Sequence, residues 1–310
     1  MNAAGLRQQR GVAVLTAMLV VTLGTVIAVN LMWNSSLDQR RTESSLIADQ
    51  GLLYLQGAEA WAADILREDQ VNSFESDHLG EIWAYELPPM PVDGGAISGR
   101  LEDLQGRFNL NNLVTPQGEQ DDISRRQFER LLEHLQLDPA LAGVAVDWLD
   151  ADADRSFPSG AEDATYSGVD PPYRTPNTVI TTPSELLAMA GMDLDVYRLL
   201  LPYITALPYG TRLNVNTASA AVLASLSDTI DESRASSLIE ERGSADFPDI
   251  NASFEGEVEP EVLLRIDGVS RYFLLTATVA IGTSQFTMYS LLQRDNSGIS
   301  RAIFRSLGVL

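Results

Sequence analysis

Acidic residues crowd one short stretch, Asp147-Trp148-Leu149-Asp150-Ala151-Asp152-Ala153-Asp154, and Gly160-Ala161-Glu162-Asp163 follows a few residues on. Asp147, Asp150, Asp152, Asp154, Glu162 and Asp163 could aim several hard carboxylate oxygens at one point. Ca2+ takes that donor type, in sets of roughly six to eight at about 2.3–2.6 Å. Scored as an EF-hand the segment is imperfect. Asp150, Asp152 and Asp154 match positions one, three and five, but Arg155 stands where the turn needs glycine. Ala161 replaces the acidic residue that closes such a loop, and Glu162 comes one place late. The pattern predicts a calcium loop of another design, with a solvated acidic turn as the alternative; flanking Trp148 and Tyr166 favour an ordered loop.

Little else in the chain suggests chemistry. His78 and His134 are the only histidines, and neither belongs to a catalytic motif; both read as surface residues. Gly-x-Ser-x-Gly, Walker and Rossmann patterns are absent, and acidic pairs such as Asp121-Asp122 are indistinguishable from a solvated loop. Zero cysteines remove thiol nucleophiles, thiolate metal sites and disulfides together. A formal charge of -22 disfavours nucleic acid and anionic headgroups, whose phosphates are bound mainly by Lys and Arg.

The elements that would position the loop are partly legible. With 310 residues and 45% hydrophobic content the chain can build more than one core. After residue 270, β-branched and aromatic residues cluster around Gly282-Thr283-Ser284 and Asn296-Ser297-Gly298, which predicts three strands. Shorter strands are expected near Tyr85 and over 96–104, set off by the breaks Pro88-Pro89-Met90-Pro91 and Gly94-Gly95. If these pair with the C-terminal strands, everything between is an insertion. That insertion carries a repeat: Gly106-Arg107-Phe108-Asn109-Leu110-Asn111-Asn112-Leu113 resembles Gly210-Thr211-Arg212-Leu213-Asn214-Val215-Asn216-Thr217-Ala218, each ahead of a predicted helix. The first helix begins at Ser124 and turns Phe128, Leu131, Leu132, Leu135 and Leu137 inward. In the second copy Asn216 or Thr217 can cap a helix through 220–226, and a helix over 234–242 buries Leu238 and Ile239.

The N-terminus is apolar. Residues 12–33 hold 22 uncharged residues, about 33 Å as a helix and enough for one membrane crossing. Arg7 and Arg10 precede the run and keep the N-terminus cytoplasmic, although Arg40 and Arg41 weaken the contrast. The run is too long for a signal-peptide core, while an uncleaved anchor fits its length equally well. Helical periodicity continues to about Glu68, with Leu46, Leu53 and Trp61 on an outer stripe. Arg10-Gly11-Val12 resembles a type IV prepilin leader, which implies cutting after Gly11 by a prepilin peptidase.

Asn214-Val215-Asn216-Thr217-Ala218 resembles the start of helix-hairpin-helix modules, which raises a membrane-anchored DNA-uptake receptor as a second reading. Asp228-Thr229-Ile230-Asp231-Glu232 occupies the place of the hairpin glycines and would repel phosphate. Leader, acidic loop and this string, in order along the chain, resemble the K-type minor pseudopilins of type II secretion. The resemblance implies an α+β fold: a type IV pilin-like N-terminal helix on an antiparallel sheet, with a large inserted helical domain of two SAM/helix-hairpin-helix-like subdomains. The expected organisation is a leader over 1–11, a transmembrane segment over 12–33 and a discontinuous pilin-like domain over 34–105 and 255–310. The insertion would cover 106–254, in subdomains of about 106–205 and 206–254. Also implied are structural Ca2+ near the acidic loop, a methylated Val12, and a single-pass inner-membrane anchor with the C-terminal domain in the periplasm. The expected role is a non-enzymatic tip subunit that starts the pseudopilus, beside minor pseudopilins of the I and J types and other pseudopilins, without nucleic acid. Most pilin-like chains carry Glu five residues after the cut, where it meets a neighbour's amine; here that residue is Thr16. A first-assembled subunit has no such neighbour to pair with.

Overall fold

The computed structural model describes residues 5–73 and 75–308. Met1 to Ala4 of the expected leader lie outside the described residues. Helix α1 (Gly5–Asn72) runs unbroken for 68 residues, four beyond the expected end at Glu68. Its first half is long and apolar enough to cross a membrane and is not buried by the rest of the chain. Its second half is amphipathic in use: Leu55, Ala62 and Leu66 are buried, while Leu46 and Leu53 are 63% and 68% exposed.

Those buried residues meet one face of a five-stranded antiparallel sheet. Strands β1 (Leu87–Val92), β2 (Gly95–Asp103), β7 (Tyr272–Ile281), β8 (Ser284–Arg294) and β9 (Ser300–Leu307) are ordered β1-β2-β7-β8-β9. Phe273, Leu275, Ala277 and Val279 of the central strand pack beneath α1, and Trp83 sets its ring edge-on to Phe273 at 5.1 Å. The proline run expected to be a break is instead strand β1. Pro88, Pro89 and Pro91 lack the N–H that a central strand must donate, so the run occupies the sheet edge.

Strands β2 and β7 pair along all of β2, from Gly95↔Ile281 to Asp103↔Phe273. Residues 104–271 therefore leave and return between adjacent strands. This segment folds as helices α2 (Asp122–His134), α3 (Leu141–Leu149), α4 (Asp163–Tyr166), α5 (Leu194–Leu200), α6 (Ala220–Ala224), α7 (Glu232–Arg242), α8 (Ile250–Phe254) and α9 (Pro260–Leu263). The expected boundary at 254/255 falls too early, because Val258, Val262 and Ile266 belong to the helical core. Nor does the core divide at 205/206: one continuous apolar cluster includes Phe108 and Phe128 from the first copy and Val222, Leu238 and Phe254 from the second.

The repeat is structural. Strand β3 (Phe108–Asn109) pairs in parallel with β4 (Ile204–Thr205), and β5 (Leu213–Asn214) pairs in parallel with β6 (Ile266–Asp267). Two residues past each first strand, a buried Asn clamps backbone from two segments. Asn111 Nδ2 donates to the carbonyls of Ile180 and Leu207 at 2.9 Å, while its Oδ1 accepts the Ile180 N–H at 2.9 Å. Asn216 Nδ2 donates to Gly268 O at 3.3 Å and its Oδ1 accepts the Phe247 N–H at 3.0 Å. An amide carries donor and acceptor together, so neither Asp nor Leu could serve. Because Asn216 is committed there and Thr217 Oγ1 donates to Asp103, Ser219 rather than either of them caps α6. Capped by Asp231, α7 starts at Glu232, two residues before the expected start, and Asp228 pairs with Arg130; the acidic hairpin is used internally.

Helix α2 likewise starts before Ser124, capped by Asp121. Asp121 Oδ1 accepts the Ser124 N–H at 2.8 Å, and Arg265 reaches both carboxylate oxygens at 2.7 and 3.0 Å. Burial opposes ionisation of Asp121, yet the hydrogen bonds from Arg265 and Ser124 outweigh it and hold the carboxyl below its usual range. A depressed carboxylate stabilises the fold above its unfolded pKa and loses that contribution as pH falls through the folded one. Asp121→Ala is expected to cost about 2 kcal/mol at pH 7, from the lost cap and charged hydrogen bonds. Urea midpoints for the two chains should converge below about pH 4; a gap that stays constant with pH would contradict this linkage.

Candidate metal loop

Helix α3 is buried along its whole length and ends by delivering Asp147 and Asp150 to the acidic loop. Asp147 is fully buried, and both its oxygens accept the Ser156 N–H at 3.0 and 3.2 Å. It closes the loop from beneath. Gly160 passes so near that a Cβ there would sit 2.0 Å from Asp147 Oδ2. An aromatic wall holds the other side: Trp148 meets Tyr166 edge-on at 5.3 Å, and Tyr166 stacks on Tyr173 at 5.2 Å.

Of the six acidic residues singled out, three converge. One carboxylate oxygen from each of Asp150, Asp152 and Glu162 lies within 4.8 Å of the other two. Asp150 and Glu162 are 4% and 6% exposed, and Asp150 Oδ1 and Glu162 Oε1 have no hydrogen-bond partner. Glu162 Oε2 lies 3.1 Å from the Thr175 hydroxyl. Asp154 is exposed and offers its backbone N–H to Asp152 Oδ1 at 2.7 Å, and Asp163 faces Thr175 and Arg174. These two, with Asp147, stand outside the convergent group.

Burial, then the charges of Asp152, Asp147 and Glu162, push Asp150 up to about 7. Burial likewise raises Glu162. Orphaned buried carboxylate oxygens are costly without a counter-charge, and a hard divalent cation supplies one. The residues present fit Ca2+. A neighbour of the loop escaped the sequence reading: Asn177 donates through Nδ2 to Asp152 O, leaving its own Oδ1 buried without a partner. Its backbone sits at φ 45°, a conformation Asn tolerates better than most residues. That tolerance was the only local signal, and chain distance from the acidic run hid it.

Elsewhere, Thr16 Oγ1 donates to the carbonyls of Val12 and Ala13 at 3.1 and 3.0 Å, satisfied within its own helix. Gly11 and Val12 lie within α1. His134 is exposed as expected, whereas His78 is half-buried with Nδ1 3.0 Å from the Ser244 carbonyl.

A long apolar helix laid on an antiparallel sheet, the sheet opened between two neighbouring strands to admit a helical body with an acidic loop, defines a pilin-type subunit with a large insertion. Two family profiles described as type II secretion system protein K match residues 106–209 and 213–258. The type II secretion system protein K of Pseudomonas aeruginosa is 36% identical, over 97% of this chain and 94% of that one. That of Pectobacterium carotovorum is 31% identical, over 92% of each. The chain belongs to the type II secretion system protein K family, the K-type minor pseudopilins. In a crystal structure of the GspK–GspI–GspJ complex from enterotoxigenic Escherichia coli, one chain shares this fold, with a TM-score of 0.78 and 24% identity over 87% of this chain and all of that one.

Proposed function

We propose that this chain caps and initiates the periplasmic pseudopilus, assisting export of folded proteins, as a structural subunit rather than a catalyst. Supporting this reading above all is the insertion, which hangs a bulky helical body from a pilin-type sheet, a bulk that would oppose the stacking of a further subunit. The self-satisfied Thr16 needs no neighbour's amine. Residues 12–33 cross the inner membrane once, with the rest in the periplasm, after the prepilin peptidase cuts behind Gly11 and Val12 is methylated. Exposed Leu46 and Leu53 on α1 suit packing against partner helices, and the related complex contains GspI and GspJ. Partners of those types are assigned here on that likeness. The DNA-receptor reading loses its support because Asp228 and Asp231 occupy the hairpin that would have to meet phosphate.

The chain has no cysteine, so Leu53→Cys creates a unique attachment point. Extracted from membranes and analysed by mass spectrometry, that protein is expected to lack Met1 to Gly11, to carry one added methyl, and to cross-link to I- or J-type subunits. An intact leader, or cross-links to neither, would defeat the assignment.

Ca2+ in the loop would be held by Asp150, Asp152 and Glu162. There it would neutralise buried charge and tie the end of α3 to Glu162. Adding EGTA to the full chain in detergent is expected to lower its melting temperature; a site filled at a hundredfold excess over Kd contributes about 2.7 kcal/mol. Asp150→Asn should reduce that response. Identical melting curves with EGTA and with excess calcium would remove calcium from the proposal.

A further inference from the structure

A second carboxylate group lies far from the acidic loop, at the neck where the anchor helix meets the insertion. Asp69 stands in the last turn of α1, and Asp77 and Glu81 lie in the loop that follows. One oxygen from each falls within 4.8 Å of the other two, a spread that a small inward movement of the side chains brings within the bond lengths of a single Ca2+. Asp77 is 1% exposed and Glu81 8%.

The fold places one buried guanidinium against this group. Arg294 of β8 donates through Nη1 to Asp69 at 2.9 Å and through Nη2 to both oxygens of Asp77 at 2.5 and 2.6 Å. One cation faces three carboxyl groups, and burial with the charges of Glu81 and Asp77 pushes Asp69 up to about 7, so the group holds more negative charge than Arg294 offsets. Glu81 Oε2 is satisfied, accepting the Trp83 indole N–H at 2.7 Å and the His78 N–H at 3.0 Å. Glu81 Oε1 is buried and has no hydrogen-bond partner; His78 Nε2, at 3.9 Å, is too distant to donate. A buried, unpartnered anionic oxygen on a residue grouped with two further carboxylates is what a hard divalent cation would compensate.

We propose that Asp69, Asp77 and Glu81 form a second Ca2+ site, independent of the acidic loop, that locks the anchor helix to the insertion. Asp77 already joins the two bodies: its Oδ2 accepts the Ser270 N–H at 2.7 Å, and its own N–H donates to Gly268 O at 2.8 Å. An ion bridging Asp77 to Asp69 extends that tie to the last turn of α1. Water and backbone carbonyls complete the six to eight ligands that Ca2+ takes.

The test counts calcium on the full chain in detergent by native mass spectrometry. Asp150→Asn, which disables the loop, should retain one ion that Asp150→Asn/Glu81→Gln loses, and Glu81→Gln alone should hold one ion fewer than the unmodified chain. Should Glu81→Gln fail to fold, terbium is added to Asp150→Asn/Trp148→Phe with and without Trp83→Phe, and the tryptophan-sensitised emission that depends on Trp83 is read. Sensitised emission quenched by excess Ca2+ supports the site, and its absence overturns it. An unchanged ion count in Glu81→Gln also overturns it. So does an Asp150→Asn chain whose melting temperature ignores Ca2+.

Discussion

Replacing Arg294 with methionine is expected to destabilise the pilin-like domain by about 3–5 kcal/mol, the range for breaking a buried ion pair from one side. The side chain is 2% exposed and its guanidinium has no water to fall back on. Besides Asp69 and Asp77 it donates to the Ser270 carbonyl at 2.8 Å and lies 5.0 Å from the Phe273 ring centre. Methionine fills the space but strands two carboxylates, whose desolvation is then uncompensated. The comparison with Arg305 makes the point by magnitude: it binds Glu59 with two hydrogen bonds of 2.7 and 2.8 Å, yet is 55% exposed. Arg305→Met should therefore cost about 1 kcal/mol or less. Denaturant melts of both variants decide the matter. Equal losses, or a loss below about 1 kcal/mol for Arg294→Met, would mean that water screens the cluster. Asp77→Asn added to Arg294→Met should recover part of the loss, since it removes one stranded charge.

Arg294 also shows where the sequence was opaque. Strand β8 is visible in the alternation around Phe286, Met288 and Ser290, but nothing local says that the Arg ending it is buried under α1, more than 200 residues earlier in the chain. Period and turn chemistry are local, which is why the three C-terminal strands and the apolar face of α2 could be read directly. Partnership is not. Pro88, Pro89 and Pro91 looked like punctuation because a proline forbids a central strand; only the sheet order turns them into an edge. The two Asn clamps were visible as a repeated string and invisible as clamps, since their partners Ile180 and Phe247 stand outside the repeat.

The acidic loop divides the same way. Residue type announced the donors, and their crowding suggested that all six aim at one point, but only some of them do. Asp147 turns down onto Ser156, Asp152 turns toward Asp150, and Asp154 faces solvent. Glu162 joins because the chain doubles back through Gly160, whose backbone lies against the Asp147 carboxylate. The glycine read from sequence as part of a motif thus has a steric reason of its own.

That reason carries the second large effect. Gly160→Ala is expected to cost about 1–3 kcal/mol from overpacking alone, because a methyl group 2.0 Å from Asp147 Oδ2 and 2.6 Å from the Ser156 N–H cannot be accommodated by rotating a flexible side chain. Both neighbours are fixed, one fully buried and the other a backbone atom. If Asp147 yields, its hydrogen bonds to Ser156 are lost and a buried carboxylate goes unpaired, adding about 1–3 kcal/mol. If the loop yields, Ala161 and Glu162 move with it, and Glu162 leaves the group it forms with Asp150 and Asp152. Either path predicts a lower melting temperature together with a weakened response to calcium. Gly168→Ala is the control, since its added Cβ would meet nothing nearer than a carbonyl at 3.8 Å and should change neither measurement. A Gly160→Ala chain that melted like the parent and kept its full calcium response would show that the loop can be rebuilt around the methyl, and the close packing of Gly160 on Asp147 would no longer explain why glycine stands there.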